Sequence, residues 1–205
     1  MENTHAYKNY NDYVAFQLKK TSDKTKQKNW LGEEWRLKID IFKNLFNQSN
    51  DILKLENKKD ALCLGSRTGQ EVVALQELGI QNVIGIDLHE FKPYTIKGDI
   101  HDLSFADSSF DFVFSNILDH SLYPEKFVSE AFRVLKPNGV FVLHYQFDTQ
   151  QDKYTEVIIK DESYLLEIFH KFEFISKKKI RSGKIAMNRE IVFKKSEHTE
   201  IECNQ

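Results

Sequence analysis

Cysteine is almost missing from this chain: Cys63 lies in an apolar run and Cys203 in the terminal tail, and two such residues cannot build a disulfide framework. No cluster of His and Cys has metal-ligand spacing, so neither a structural nor a catalytic zinc is expected. Long apolar runs are lacking too; none reaches the roughly 18 residues that a membrane-spanning helix needs. The opening stretch, MENTHAYKNYNDY, has neither the basic flank nor the apolar segment of a secretory leader, and the expectation is a soluble cytoplasmic protein. An excess of one charge is also absent. The 29 Lys and Arg against 31 Asp and Glu leave a net charge of −2, which gives no global pull toward nucleic acid or an anionic membrane. The scarcity of proline, three residues in all, carries no functional reading.

What is present is core material: 40% of the 205 residues are apolar and 16 are Phe, enough for one sizeable core with an N-terminal extension. Residues 1–28 are polar and weakly periodic, with basic residues at Lys19, Lys20, Lys24, Lys26 and Lys28, and are expected to pack only in part. From Trp30, the residues Leu31, Trp35, Ile39, Phe42 and Phe46 recur at steps of three or four and predict a docking helix over 30–46.

Strands and helices then alternate. Ala61–Leu64 reads as a buried strand, Gln70–Leu78 as a helix stopped by Gly79, and Asn82–Asp87 as a second strand. Tyr94–Lys97 and Phe110–Ser115 are the third and fourth strands, Pro124–Leu135 is a helix with proline in its first turn, and KPNG at 136–139 ends it. Val140–Tyr145, a helix over Glu162–Phe172 and two strands at 173–181 and 186–194, joined through Ser182 and Gly183, complete the pattern. Such alternation predicts an α/β fold, a mainly parallel sheet covered by helices on both faces.

The strongest local signal is ALCLGSRTGQEVVAL, a buried strand opening through Gly65–Gly69 into a helix. Glycine there lets backbone approach a ligand, and the helix N-terminus presents unpaired N–H groups and a partial positive charge. Asp87 ends the next strand, where a carboxylate can accept both hydroxyl hydrogens of a ribose. Each signal has a plain alternative: the glycines serve the turn alone, and Asp87 is a solvated strand-end acid or a helix cap. Together they fit a nucleoside with a polar tail.

With GDIHDLSFADSSFDFVFSNILDH and EAFRVLKPNG added, the chain resembles the class I S-adenosylmethionine-dependent methyltransferases, particularly the small-molecule subgroup, over residues 58–146 with weaker support to 195. The resemblance implies a Rossmann-like, doubly wound sheet of seven strands in the order 3-2-1-4-5-7-6. It implies S-adenosylmethionine as cofactor. Gly65, Ser66, Arg67 and Gly69 would flank its methionine portion, Asp87 and Leu88 would hold the ribose, Asp99 and Ile100 would border the adenine, and Ser115 to His120 would face the methyl group. The domain boundaries that follow are an N-terminal helical extension over 1–56, the methyltransferase domain over 57–195 and a polar tail over 196–205.

Departures from the family pattern are specific. Cys63 stands where an acid is usual, and Arg67 where a middle glycine is usual. Arg67 can pair with the cofactor's carboxylate or point to solvent, in which case Glu71 or the backbone serves the ammonium. A cofactor with extra negative charge, such as a carboxylated S-adenosylmethionine, is the sharper reading of the same change. The stretch HEFKPYTIKG between Asp87 and Asp99 is too short for the usual helix, which predicts an open adenine side covered by Phe91, Tyr94 or the N-terminal helix, unless those aromatics are core filler.

Methyl transfer from a sulfonium needs an in-line nucleophile and little else, so positioning and dehydration dominate, and a base is needed only for a poorly ionised acceptor. His120 is the base candidate, with Asp119 to orient it; His101 and His144 are weaker ones. Asn116 is followed by Ile117 and Leu118 instead of an Asn-Pro-Pro-aromatic motif, which disfavours methylation of nucleic acid bases. The basic run Lys177, Lys178, Lys179, Arg181 and Lys184 reads as an anion-facing patch or as a solvated strand edge. The expected activity is methyl transfer to a small molecule, with oxygen preferred over nitrogen as acceptor. A non-catalytic binding module with a degenerate motif is the main rival, and a nicotinamide-dependent oxidoreductase ranks last for want of the close Gly-x-Gly start.

Overall fold

The computed structural model describes residues 5–148, 152–181 and 183–197, so Ser182, Cys203 and most of the polar tail lie outside the described residues. Among the described residues, β1 (Asp60–Leu64), β2 (Asn82–Asp87), β3 (Thr95–Lys97), β4 (Phe110–Ser115), β5 (Leu135–Tyr145), β6 (Phe172–Lys179) and β7 (Arg189–Lys195) form one sheet. Its order is β3-β2-β1-β4-β5-β7-β6, as the resemblance implies. The pairs β1–β2, β1–β4, β2–β3 and β4–β5 are parallel, while β7 runs antiparallel between β5 and β6.

Strand β1 is apolar beyond its first residue because both its faces are covered. Leu62 and Leu64 face an apolar cluster closed by Phe127 and Ala131 of α6 (Pro124–Val134) and Leu165 of α7 (Ser163–Ile168). Ala61 and Cys63 face the opposite cluster, closed by Ile39, Phe42 and Phe46 of α3 (Glu33–Asn47) and Val72 and Leu75 of α5 (Gln70–Glu77). The period of two along the strand thus sorts neighbouring residues into two cores. A short helix, α4 (Asn50–Leu53), leads toward β1.

Residues 10–28 pack only in part, as expected, and do so as helix: they form α1 (Tyr10–Thr21) and most of α2 (Lys24–Leu31), with Tyr13, Gln17 and Gln27 buried, as is Trp30 later in α2. Their contact face is aromatic and polar, so a search for apolar period passes over it. The helix expected over 30–46 breaks at Gly32, whose N–H donates to the Lys28 carbonyl and where a Cβ would stand 2.9 Å from that carbonyl oxygen. Trp30 therefore belongs to the preceding helix, and Leu31 is exposed.

Next, β5 starts at Leu135. Leu135 pairs with Phe110, after which the register shifts, and Asn138 takes a left-handed φ of 63° within KPNG before Val140 pairs with Phe112. Finally, the last helix is short, because Phe169 and Phe172 turn into the core; Phe169 stacks on Phe193 with ring centroids 4.3 Å apart. β7 begins at Arg189, three residues later than expected.

Phe46 holds α3 to the sheet. Its ring is fully buried and meets Phe114 edge-on at 5.0 Å, with Phe112 and His144 beside it. Truncating a buried Phe removes its transfer free energy and leaves a cavity, so Phe46→Ala is expected to lower stability by about 3–5 kcal/mol in chemical denaturation. A loss below about 1 kcal/mol would show that α3 is not docked through this ring.

Candidate cofactor and acceptor site

The turn after β1 builds the site. Gly65 has φ +72°, and a Cβ there would fall 2.1 Å from Ile117 Cγ1, so only glycine fits. The N–H groups of Gly65 and Ser66 both donate to the Ile86 carbonyl, at 2.8 and 3.0 Å. Arg67 N–H then donates to Asp87 Oδ2 at 3.0 Å, and His89 N–H donates to Oδ1 at 3.1 Å. Burial raises the Asp87 pKa, and these two backbone donors oppose the shift. Each carboxylate oxygen keeps a lone pair for another donor.

A cavity of about 430 Å³ opens beside this turn. Of the predicted cofactor residues, Gly65, Arg67, Asp87, Leu88, Asp99 and Ile100 line it. Ser66, Gly69 and Ser115 are placed behind the wall. Ser66 Oγ lies 3.0 Å from Thr95 Oγ1, Gly69 (φ +89°) packs against Tyr94, and Ser115 Oγ donates to the Leu64 carbonyl at 3.1 Å. These three shape the turn. Cys63 sits in the α3–α5 core, where burial pushes its thiol pKa up.

Arg67 does not reach for solvent. Its guanidinium carbon lies 4.2 Å from the centroid of the Trp30 ring, and its Nε is buried with no hydrogen-bond partner. Burial lowers its pKa, while Glu71 and Asp87 pull the other way. Glu71, in the first turn of α5, is also buried on the cavity, and burial raises its pKa to about 7.

The side of the cavity at Asp99 and Ile100, expected to be open or covered by Phe91, Tyr94 or the N-terminal helix, is roofed by α1. Tyr10 Oη donates to Asp99 Oδ2 at 2.6 Å, Tyr13 Oη to the His120 carbonyl at 2.9 Å, and Gln17 Nε2 to the Tyr154 carbonyl and Glu156 Oε1 at 2.9 and 2.8 Å. Burial, then Asp99, raises the Tyr10 pKa, so the phenol stays a donor. Tyr94 is filler, packed on Trp35. His101 is buried beneath Tyr10: its Nε2 takes the Tyr123 N–H at 3.3 Å and lies 2.8 Å from Ser121 Oγ, so its proton sits on Nδ1, toward Tyr10 and Asp99. His144 is a core residue paired with Glu190 at 2.8 Å.

His120 lines the cavity, as a base must. Its Nδ1 is 2.8 Å from the Tyr154 carbonyl, which can only accept, so Nδ1 carries the proton and Nε2 the lone pair. Asp119, the acid expected to orient His120, stands beside it without a hydrogen bond. Its Oδ2 is buried without a hydrogen bond, 3.8 Å from His120 Nε2, because the chain turns Asp119 inward at a 3₁₀ turn, Leu118–His120. Lys20 Nζ takes that place, donating to His120 Nε2 at 3.0 Å and to Asp152 Oδ2 at 2.6 Å.

Lys20, Tyr13, Gln17, Trp30 and Asp152 line the cavity without having been expected there from the sequence, and Tyr10 reaches it only through Asp99. The spacing of Tyr10, Tyr13, Gln17 and Lys20 by three and four was the available sign of one helical face. The later basic run divides: Lys177 pairs with Glu162, Lys178 with Ser49 and Glu190, and Lys184 lines the cavity. Among the described residues, no three His, Cys, Asp or Glu side chains are grouped to hold a metal ion, and no helix is long and apolar enough to cross a membrane.

Residues 62–143 match the methyltransferase domain family. No curated protein matches the sequence significantly. Among solved structures, the chain is similar to Burkholderia thailandensis 1,6-didemethyltoxoflavin-N1-methyltransferase, with TM-score 0.71 and 14% identity over 96% of this chain and 94% of that one. It is similar to the PH0226 protein from Pyrococcus horikoshii OT3 with TM-score 0.63 and 19% identity, over 81% and 93% of the two chains. The [4+2]-cyclase SpnF has TM-score 0.60 and 15% identity, over 75% and 80%. The chain thus has the Rossmann-like fold of the class I S-adenosylmethionine-dependent methyltransferases, with the methyltransferase domain matched over residues 62–143.

Proposed function

We propose that this protein transfers the methyl group of S-adenosylmethionine to a small-molecule acceptor, oxygen before nitrogen, in the cavity between the β1 turn and His120. One observation carries the reading: a single cavity joins Gly65, Arg67 and Asp87, at the ends of β1 and β2, to Asn116, His120 and Asp152 beyond β4 and β5. Its volume of about 430 Å³ suits a small-molecule site. The residues fit the cofactor: Asp87 for ribose hydroxyls, Glu71 for an ammonium, the unpartnered Nε of Arg67 for a carboxylate, and Asp99 with Ile100 beside adenine. Bound there, S-adenosylmethionine supplies a sulfonium methyl open to in-line attack.

The remaining work belongs to the protein. Residues 57–195 form the catalytic unit in this reading, and α1 and α2 of the N-terminal extension roof it and exclude water. His120 Nε2 is the atom able to take a proton from an acceptor hydroxyl. Asp119 adds a nearby negative charge. The crystallised Burkholderia thailandensis relative holds 1,6-didemethyltoxoflavin together with S-adenosylhomocysteine, which supports a cavity with room for cofactor and small acceptor. A cytoplasmic setting suits the free, buried thiol of Cys63. A non-catalytic binding module is favoured by one observation, the hold of Lys20 on the lone pair of His120.

Calorimetric titration with S-adenosylmethionine, S-adenosylhomocysteine and NAD tests the assignment. The first two are expected to bind and NAD to be refused, and Asp87→Ala is expected to weaken binding by about tenfold or more through loss of charge-assisted hydrogen bonds. Unchanged affinity in that variant removes the ribose contact. Slow formation of S-adenosylhomocysteine in an acceptor screen separates enzyme from binding module.

Glu71 gives a pH test with a definite sign. Only its carboxylate attracts an ammonium, so S-adenosylmethionine affinity is expected to be full above about pH 7 and to fall as the pH drops through that value. Glu71→Gln is expected to bind weakly and lose this slope between about pH 8 and about pH 6, a range of about one unit either side of the titration. Persistence of the same slope in the variant would show that another group controls it.

A further inference from the structure

Resting on the methyl-transfer reading of the same cavity, we propose that the acceptor carries a negatively charged oxygen group, a carboxylate or similar oxyanion. Lys20 receives this group, and in doing so leaves Nε2 of His120 free. Lys20 Nζ stands between Asp152 Oδ2 at 2.6 Å and His120 Nε2 at 3.0 Å, with its side chain only 20% exposed. An ammonium has three donors, and one of these stays open to a ligand. In this arrangement His120 is neutral and its lone pair is capped, so it cannot act as a base. A neutral acceptor has little with which to draw the ammonium off; an anion has a full charge.

The surroundings favour an anion. Lys26 and Lys184 line the same cavity, and among the described residues neither forms an ion pair; Lys26 rests over the Tyr154 ring at 5.1 Å. Among the described residues Lys20 has one ion-pair partner, Asp152, and the charge of Lys184 reaches Glu34, whereas Glu71 and Asp87 lie with Arg67 at the cofactor turn. Burial lowers the Lys20 pKa and Asp152 only partly offsets this, so a second anion stabilises the charged form. Lys20 belongs to the helix whose Tyr13 and Gln17 are hydrogen-bonded to the walls, so its ammonium is delivered to a fixed place.

The test uses the full chain with S-adenosylhomocysteine added and titrates two probes of equal size, benzoate and benzamide. Benzoate is expected to bind about tenfold or more tightly than benzamide, the worth of a charge-assisted hydrogen bond. Lys20→Met is expected to abolish the preference and Lys20→Arg to keep it, while both retain S-adenosylhomocysteine affinity within about twofold, since the contact lies at the acceptor end. Equal binding of the probes, binding of neither, or an intact preference in Lys20→Met overturns the proposal. The cofactor titration of the unaltered chain is read separately: its failure removes the methyl-transfer reading, whereas a lost probe preference with normal cofactor binding removes only the anion subsite. Should Lys20→Met melt early, Lys20→Gln is titrated in its place with the same two outcomes.

Discussion

The tie between the turn after β1 and the end of β2 is the constraint on which the rest of this structure depends. Two consecutive N–H groups share the Ile86 carbonyl, and the third, from Arg67, reaches the Asp87 carboxylate. β1 lies in the middle of the sheet with helices on both faces, so its chain can leave only over the strand ends. The left-handed bend at Gly65 makes that exit, pressed against Ile117 at the end of β4. The same bend sets the start of α5, aims Arg67 at Trp30 and holds Asp87 at the lip of the cavity. One turn thereby positions residues from three neighbouring strands.

The roof is held in a different way. α1 and the residues just before it meet the sheet ends through directional bonds: Tyr7, ahead of the helix, and Gln17 to Glu156, Tyr10 to Asp99, Tyr13 to the His120 carbonyl. The Glu156 carboxylate is fully buried, which is tolerable only because several donors reach it. Apolar packing permits sliding, whereas each phenol here has one acceptor, so the helix has one register. That register decides where Lys20 stands relative to His120 and Asp152. Order in the roof in this way fixes the geometry of side chains at the cavity.

A shared fold does not choose the reaction. A [4+2]-cyclase and a 1,6-didemethyltoxoflavin-N1-methyltransferase are both similar in fold to this chain, and what separates them must lie in side chains around the cavity. Two of the substitutions that mark this sequence show the point. Cys63 turned out to be core, with no part in the cavity wall, whereas Arg67 is a buried cation stacked on an aromatic ring from the N-terminal extension. One departure is packing, and the other lines the cavity.

Strand and helix alternation was legible because the sheet is buried on both faces: runs such as Ala61–Leu64 and Phe110–Ser115 must be apolar throughout, and the glycines at 65 and 69 must be glycines to turn. Residue pattern alone therefore determined the elements and their alternation, while likeness to a family supplied the strand order. The ends of elements were less legible, since Phe169, Phe172 and Leu135 suit helix and strand alike until their core neighbours are known. The site was half legible. Asp87 and Gly65 are marked by their place along the chain, but Lys20, Tyr10 and Trp30 belong to a segment whose contacts are polar, and polarity looks the same in sequence whether it meets water or a buried carboxylate. Only the tertiary structure decided that difference, because it brings residues a hundred positions apart within hydrogen-bond reach and gives His120 an ammonium in place of the adjacent acid.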